Sequence, residues 1–318
     1  MPRASAAAFA LVLTAGLATR LQPLSFVRAK AALPVGGEPL VRRILGWLAA
    51  EGVTDAVLNL HHLPHTITSV VGDGGDLGLR VRYSWEVPVL GSAGGPRRAL
   101  PIVGAPRFLV VNGDTLTTLN LAPLVAEHDR SGALATLAVV PNREPEKYSG
   151  LAVDDGNVTG VVPRGSAEPS FHFFGVQVVE ARAFESVPPG VRYETVSTLY
   201  PALIAERRDS VRAFRTEVES LDIGTPADYL RSSLVMAARE PRGQIGARAR
   251  IAADARIERS ILWDDVIVEA GAMVRECVVA DGVTVPANTS WHGVTLRVAN
   301  GELASGERRV GGLAICSL

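Results

Sequence analysis

The chain has 318 residues, 47% of them hydrophobic, with 32 Lys and Arg against 33 Asp and Glu and a formal net charge of −1. This length and apolar fraction suit a globular protein with one large core and a smaller unit. The near-neutral balance excludes the broad basic field that nucleic acid or an anionic membrane would call for, and leaves any anion site local.

At the N-terminus, Ala6–Ala18 (AAAFALVLTAGLA) resembles a signal-peptide core after Arg3 but reads better as a first buried strand, FALVLTAG, entering a small-residue loop. No apolar run of membrane-spanning length follows, so no membrane partner is expected. The loop leads to Thr19, Arg20, Arg28 and Lys30. Cations spaced in this way serve no packed core, and the stretch Val12–Leu40 is therefore read as a place where an anion is held. In open α/β sheets ligands bind beyond the carboxyl ends of the strands, where a Gly turn presents N–H groups to phosphate. Arg20, Arg28 and Lys30 would neutralise it. The loop is neither GxxxxGK[ST] nor GxGxxG, and a surface turn with solvated cations is the competing reading.

Next, Leu40, Val41, Ile44, Leu45 and Leu48 fall on one helical stripe, with Pro39 suited to the first turn and Gly52 to the exit. TDAVLNL is a second strand. VLGSAGGPRRAL, from Val89 to Leu100, is expected to be a Gly-rich turn suited to close approach by a flat ring, or a flexible loop. RFLVVNGD is a buried strand that delivers Asp114 at its end, where a carboxylate can meet Mg²⁺ or cap a helix. LAPLVAEHDRSG then reads as a helix, ALATLAVV and FHFFGVQVV as strands, and TVSTLYPALIAER as a helix. In ESLDIGTPADYL, Asp222 is the pointed carboxylate and Asp228 a capping residue. Asp114 and Asp222 can share one Mg²⁺ only if the fold brings their strand ends together.

These alternations predict an α/β domain with a largely parallel sheet over residues 1–238. From 239 to 318 the pattern changes. Aliphatic residues recur at Ile245, Ile251, Ile257, Leu262, Val268, Val274, Val279 and Val285, with spacings of six, six, five, six, six, five and six. Such hexads predict a short parallel β-helix of under three coils. The two fives leave an irregular antiparallel run as the alternative. A closing hairpin and tail are expected beyond Trp291. The only two cysteines, Cys277 and Cys316, lie outside any CxxC or Cys/His cluster. That excludes a disulfide scaffold or structural zinc and suits a reducing, cytoplasmic setting.

Taken in this order, the segments resemble the sugar-nucleotide pyrophosphorylases, the nucleotidyltransferases that form nucleoside-diphosphate sugars. The family pattern AGxGTRLxPLT is matched by Ala15, Gly16, Thr19, Arg20, Leu21, Pro23 and Leu24, and the following PK and PVxGxP by Lys30, Pro34, Val35, Gly37 and Pro39. The family's LGTAG, NGD and DxGTPxDY correspond to Leu90–Gly94, Asn112–Asp114 and Asp222–Tyr229. The mannose-1-phosphate guanylyltransferase-like group is the most similar in segment order and hexad tail.

The resemblance implies a Rossmann-like, mostly parallel sheet domain followed by a short left-handed parallel β-helix. It implies in-line attack of a sugar 1-phosphate oxygen on the α-phosphate of a nucleoside triphosphate, with release of pyrophosphate. Arg20 would hold the β- and γ-phosphates and Lys30 the transferring phosphate, while Asp114 and Asp222 would hold Mg²⁺. Ala15, Gly16, Thr19, Ser92, Ala93 and Gly94 would contact the nucleotide, and Glu86, Gly150, Arg164, Gly175 and Glu194 the sugar phosphate. GTP with a mannose- or heptose-type phosphate is expected, with uridine and thymidine nucleotides open, and stacked hexad coils offer a homo-oligomer contact.

Three departures from the pattern stand out. Ala18 replaces a Gly, Ala29 replaces the Pro before the lysine, and no Glu-Lys-Pro segment is present, with VVPRGS and its Arg164 the nearest stretch. They keep open a second reading, a catalytically weak regulatory or nucleotide-sugar-binding subunit. An acyl-transferring hexad tail has little to build on, since His292 is its single histidine.

Overall fold

Runs of aliphatic residues separated by helices build a nine-stranded mixed sheet in the first of two compact units of this computed structural model, which describes residues 8–221, 223–239 and 243–318. The first unit takes in the chain up to Gly16, then Ile44–Pro64 and Val71–Ser220; the second takes in Leu17–Arg43, His65–Val70 and Leu221–Leu318. The strands are β1 (Phe9–Leu13), β2 (Asp55–Leu60), β3 (Arg80–Trp85), β4 (Arg107–Asn112), β5 (Ala135–Pro141), β6 (Gly150–Asp154), β7 (Asn157–Val162), β8 (Phe171–Glu180) and β9 (Val211–Arg215). They lie in the order β3-β2-β1-β4-β8-β5-β9-β7-β6. β3, β2, β1 and β4 are mutually parallel, β5 and β9 pair in parallel, and β8 and β7 run against their neighbours. Every residue of β2 is buried, the mark of a strand covered on both faces.

Helix α1 (Leu40–Ala50) follows the expected stripe, with Leu40, Val41, Ile44, Leu45 and Leu48 all buried, and a short helix α2 (Pro64–Val71) comes after β2. Val89–Leu100 differs from its expectation: most of it is helix α3 (Gly91–Val103), with Pro96 and Pro101 inside. Glycine and proline are poor helix formers, but the opening donors of α3 are met from outside it. The N–H groups of Ala93 and Gly94 donate to the carbonyl of Tyr193, and that of Ser92 to the carboxylate of Glu194. The helix packs on β1, β2 and β3, and Ala93, Ala99 and Val103 join the hydrophobic core there. The predicted helix TVSTLYPALIAER opens with one wide turn, Thr195–Leu199, before regular helix begins at Tyr200.

The second unit contains three short turns, Thr19–Leu21, Leu24–Phe26 and Lys30–Ala32, and the helix Pro226–Ala237. Thr225 caps that helix, accepting the N–H of Asp228 and donating to its carboxylate. Asp228 is therefore a capping residue, as its position predicts.

The C-terminal part of this unit is a three-faced parallel coil. One face stacks Arg250–Ile251, Ile267–Val268 and Thr284–Val285; the second Arg256–Glu258, Met273–Arg275 and Ser290–His292; the third Ile261–Leu262, Val278–Val279 and Val294–Val298. Every residue pairs with the one seventeen positions on, as Ile251 does with Val268 and Val268 with Val285. The spacings of five are thus no irregularity: one short face per coil brings two sixes and a five to seventeen and keeps the strands in register. Left-handed corners at Arg259, Asp265, Gly271, Glu276, Gly282, Asn288 and Gly293 repeat the same rhythm. The antiparallel alternative is excluded. The series also runs past Val285 through Trp291 to Leu296, so the coils number three rather than fewer. Val294–Val298 then pairs antiparallel with Leu313–Ser317, which pairs with Arg308–Val310 as the expected closing hairpin. Among the described residues no helix is long and apolar enough to cross a membrane.

Candidate active site

Neighbouring parallel strands of the first unit end level with one another. Leu13 at the end of β1 is opposite Asn59 in β2 and Asn112 in β4, and Asn59 is opposite Ser84 in β3. The N–H of Gly113 adds one more rung to the carbonyl of Leu13. Two sequence-predicted groups therefore leave the sheet side by side: the Thr14–Gly16 turn after β1 and Asp114 after β4. Ala15 is buried, Gly16 is exposed, and apart from its own chain neighbours no described atom lies within 4 Å of where a Cβ on Gly16 would sit. Asp114 is half-buried.

A buried polar network holds these ends together. The N–H of Thr14 donates to Asn59 Oδ1 at 2.6 Å, Asn59 Nδ2 donates to Glu86 Oε1 at 2.7 Å, and the N–H of Leu90 donates to Glu86 Oε2 at 2.9 Å. Glu86 is only 1% exposed. Both its oxygens are engaged inside the unit, so the geometry makes Glu86 a link between the ends of β1, β2 and β3 and the start of α3, not a group that faces a sugar. The sequence pattern does not single out Thr14 or Asn59. The one signal for Asn59 is a polar residue in the otherwise apolar run AVLNL.

Ser92, Ala93 and Gly94 lie in the first turn of α3, with the last two buried. A Cβ on Gly94 would come within 2.6 Å of the carbonyl oxygen of Val191, so the close approach this glycine allows is to the chain itself and not to a flat ring. Glu194 supports the same turn. Its carboxylate accepts from the N–H of Ser92 at 3.0 Å, from Ser92 Oγ at 2.8 Å and from Arg192 at 3.1 Å. Burial by itself raises the pKa of Glu194, and these hydrogen bonds from Ser92 and Arg192 outweigh it and hold the group below its ordinary value.

Gly175 lies in β8 beside the end of β4. Its φ of +96° suits glycine, and a Cβ there would approach Asn112 Nδ2 and Thr115 Oγ1 to 2.6 Å. It is thus next to the strand that delivers Asp114. Gly150 is buried at the start of β6 against Ser170, and Arg164 is exposed in the loop after β7.

Thr19, Arg20 and Lys30 belong to the second unit. Thr19 and Arg20 are exposed in their turn, and Lys30 is half-buried at the start of the turn Lys30–Ala32. Arg28 is not a free cation. Its guanidinium binds Asp281 through two hydrogen bonds of 2.7 Å and Asp264 through a third of 2.7 Å. Burial works against its charge, and Asp281 and then Asp264 more than compensate, holding its pKa above the ordinary value. Of the three cations read as anion ligands, Arg28 is therefore a structural one. Ala18 adopts φ 49° and ψ 44°, left-handed backbone that glycine adopts without strain. Ala29 has φ −56°, which proline would share, but its N–H donates to Thr66 Oγ1 at 3.1 Å, a bond proline could not make. Asp222 lies outside the described residues, and among the described ones no group of three or more His, Cys, Asp or Glu side chains could hold a metal ion.

Comparison with known proteins gives the family. The nucleotidyl transferase family model matches residues 9–239, and a GlmU-like C-terminal hexapeptide model matches residues 231–294. The mannose-1-phosphate guanylyltransferase of Mycobacterium tuberculosis is 27% identical over 295 residues, covering 83% of this chain and 82% of that protein. The N-acetylmuramate alpha-1-phosphate uridylyltransferase of Neisseria meningitidis is 32% identical over 224 residues, covering 68% and 93%. The structure of HddC from Yersinia pseudotuberculosis complexed with GMP-PN superposes with a TM-score of 0.61 at 23% identity, covering 71% of this chain and 97% of that one, and supports the fold. With its turn after β1, its NGD at the end of β4 and a family match over most of its length, this chain belongs to the nucleotidyl transferase family.

Proposed function

We propose that the protein joins a nucleoside triphosphate to a sugar 1-phosphate, giving a nucleoside-diphosphate sugar and pyrophosphate, with GTP and a mannose- or heptose-type phosphate as the pair. The observation that carries this is the level exit of the Gly16 turn and Asp114 from adjacent parallel strands, with open space over Gly16. Relatives named as mannose-1-phosphate guanylyltransferases support the choice of pair. An oxygen of the sugar phosphate attacks the α-phosphorus, the bond to the β-phosphate breaks, and pyrophosphate departs with its electron pair.

In this reading the chain contributes position and charge. The turn at Ala15 and Gly16 lets the triphosphate approach the backbone, Arg20 meets the β- and γ-phosphates, and Lys30 meets the phosphate in transfer. Glu86, Asn59 and Glu194 act one step back, fixing the Thr14 turn and the start of α3. Asp114 is a hard oxygen donor at a strand end, which fits Mg²⁺, an ion commonly held by one or two carboxylates plus phosphates and water, and Asp222 would be the second ligand. Bound there, the ion would neutralise phosphate charge. The coil is proposed to wind left-handed.

The test is pyrophosphate release with Mg²⁺ across a panel of nucleoside triphosphates and sugar 1-phosphates, with Asp114→Asn and Lys30→Ala as controls. Release that requires one pair and falls at least a hundredfold in both variants, the scale expected for losing one charge-stabilising group, is the expected result. No release with any pair, together with a nucleotide sugar that still raises Tm, would replace this reading with that of a binding subunit.

A further inference from the structure

The segment carrying Lys30 is held at both ends by one corner of the coil. At its start, Arg28 is clamped by Asp281 and Asp264 and lies over the ring of Trp263, 5.5 Å from the centroid. The two aspartates are themselves fixed by coil backbone: Asp281 accepts the N–H of Asp264 at 3.0 Å, and Asp264 accepts the N–H of Ala247 at 2.7 Å. At the end of the segment, the carbonyl of Pro34 accepts from the hydroxyl of Tyr229, which in turn accepts from Trp263 Nε1 at 2.9 Å. Trp263 is fully buried. Between these anchors the backbone makes one short turn, closed by the N–H groups of Ala32 and Leu33 on the carbonyls of Ala29 and Lys30, and the N–H of Ala29 donates to Thr66 Oγ1.

We infer that the corner formed by Trp263, Asp264 and Asp281 positions Lys30, with Arg28 as the positioning residue that transmits it. The inference rests on the transferase reading above. A misplacement of about 1 Å can cost about a hundredfold in rate, so fixing the backbone that carries Lys30 bears directly on where its charge sits. The coil thereby becomes part of the machinery for transfer.

The experiment compares Arg28→Gln, Arg28→Lys and Asp281→Asn in the full chain, with Arg248→Gln as a control. Arg248 pairs with Asp265 on the same coil and is exposed. Arg28→Gln and Asp281→Asn are expected to lower kcat by about ten- to a hundredfold with both KM values little changed, Arg28→Lys to recover part of the loss, and Arg248→Gln to change nothing. Combined with Lys30→Ala, Arg28→Gln is expected to add no further loss, because both changes remove the same contribution. Undiminished kcat in Arg28→Gln, or a loss that adds in full to that of Lys30→Ala, would overturn the inference.

Inactivity of the unaltered protein with every substrate pair would sink the transferase reading separately. Positioning would then be judged by amide exchange at Ala32 and Leu33. Exchange at least about tenfold faster in Arg28→Gln, with the first-unit sheet unchanged, would uphold it, and unchanged exchange would end it.

Discussion

At the scale of single residues, Ala18 shows how one methyl group sets a conformational cost just after the Gly16 turn. Its backbone is left-handed, and an L-residue there costs about 1–2 kcal/mol more than glycine. Glycine would also enlarge the unfolded ensemble, which returns about 0.4–1 kcal/mol. Ala18→Gly is therefore expected to stabilise the protein by about 1 kcal/mol net. Urea unfolding should show a raised midpoint with an unchanged slope. A lowered midpoint would mean that the Ala18 methyl makes contacts worth more than the strain. Ala29 teaches the converse. Its φ would accept the family's proline, and it is the hydrogen bond to Thr66 that makes a residue with an N–H the better choice.

Among the elements, the parts legible in the sequence are those whose signal is local. β1 with its turn, β4 ending in Asn-Gly-Asp, the stripe of α1 and the hexads each carry their own periodicity, and each emerges as an element. Helix α3 was hidden because its glycines and prolines argue for a turn, while the groups that satisfy its first donors lie about Tyr193 and Glu194, roughly a hundred residues away in sequence. β3 was hidden by its polar, edge-strand composition, RVRYSW. The structural roles of Glu86 and Arg28 depend on long-range partners, Asn59 in one case and Asp264 and Asp281 in the other, that no spacing rule reveals. The closing hairpin holds a similar pair. Arg297, 3% exposed, binds the fully buried carboxylate of Glu307 at 2.6 Å and also donates to the carbonyls of Val298, Asn300 and Glu302. Arg297→Met would leave that carboxylate buried with the N–H of Ala304 but no cation, a loss expected at about 3–5 kcal/mol. The double change Arg297→Met with Glu307→Leu should recover much of it, because no charge is then stranded. Equal losses in the single and double variants by urea unfolding would show that the orphaned carbonyls, not the carboxylate, dominate.

For the molecule as a whole, the division of the chain into units has a consequence for where it can be cut. The segment Leu17–Arg43 belongs with Leu221–Leu318 and not with the sheet that precedes and follows it. Three contacts carry this: Arg28 with Asp264 and Asp281, the carbonyl of Pro34 with the hydroxyl of Tyr229 and through it Trp263, and Arg297 5.3 Å over the ring of Phe26. A chain ended at residue 239 would keep the family-matched region yet lose every coil partner in these three contacts. The sheet of the first unit retains its own core of β1, β4, β5, β8 and β9 residues, so it is expected to stay folded. The segment around Arg28 and Lys30, with its anchors gone, would open by local unfolding far more often than in the full chain. Trypsin should therefore cut the shortened chain after Arg28 and Lys30 at least about tenfold faster than the full chain, while sites within the sheet stay protected. If the shortened chain resists trypsin at both bonds as well as the full chain does, residues 17–43 are held by something other than the coil, and the positioning role assigned to Arg28 falls with that result.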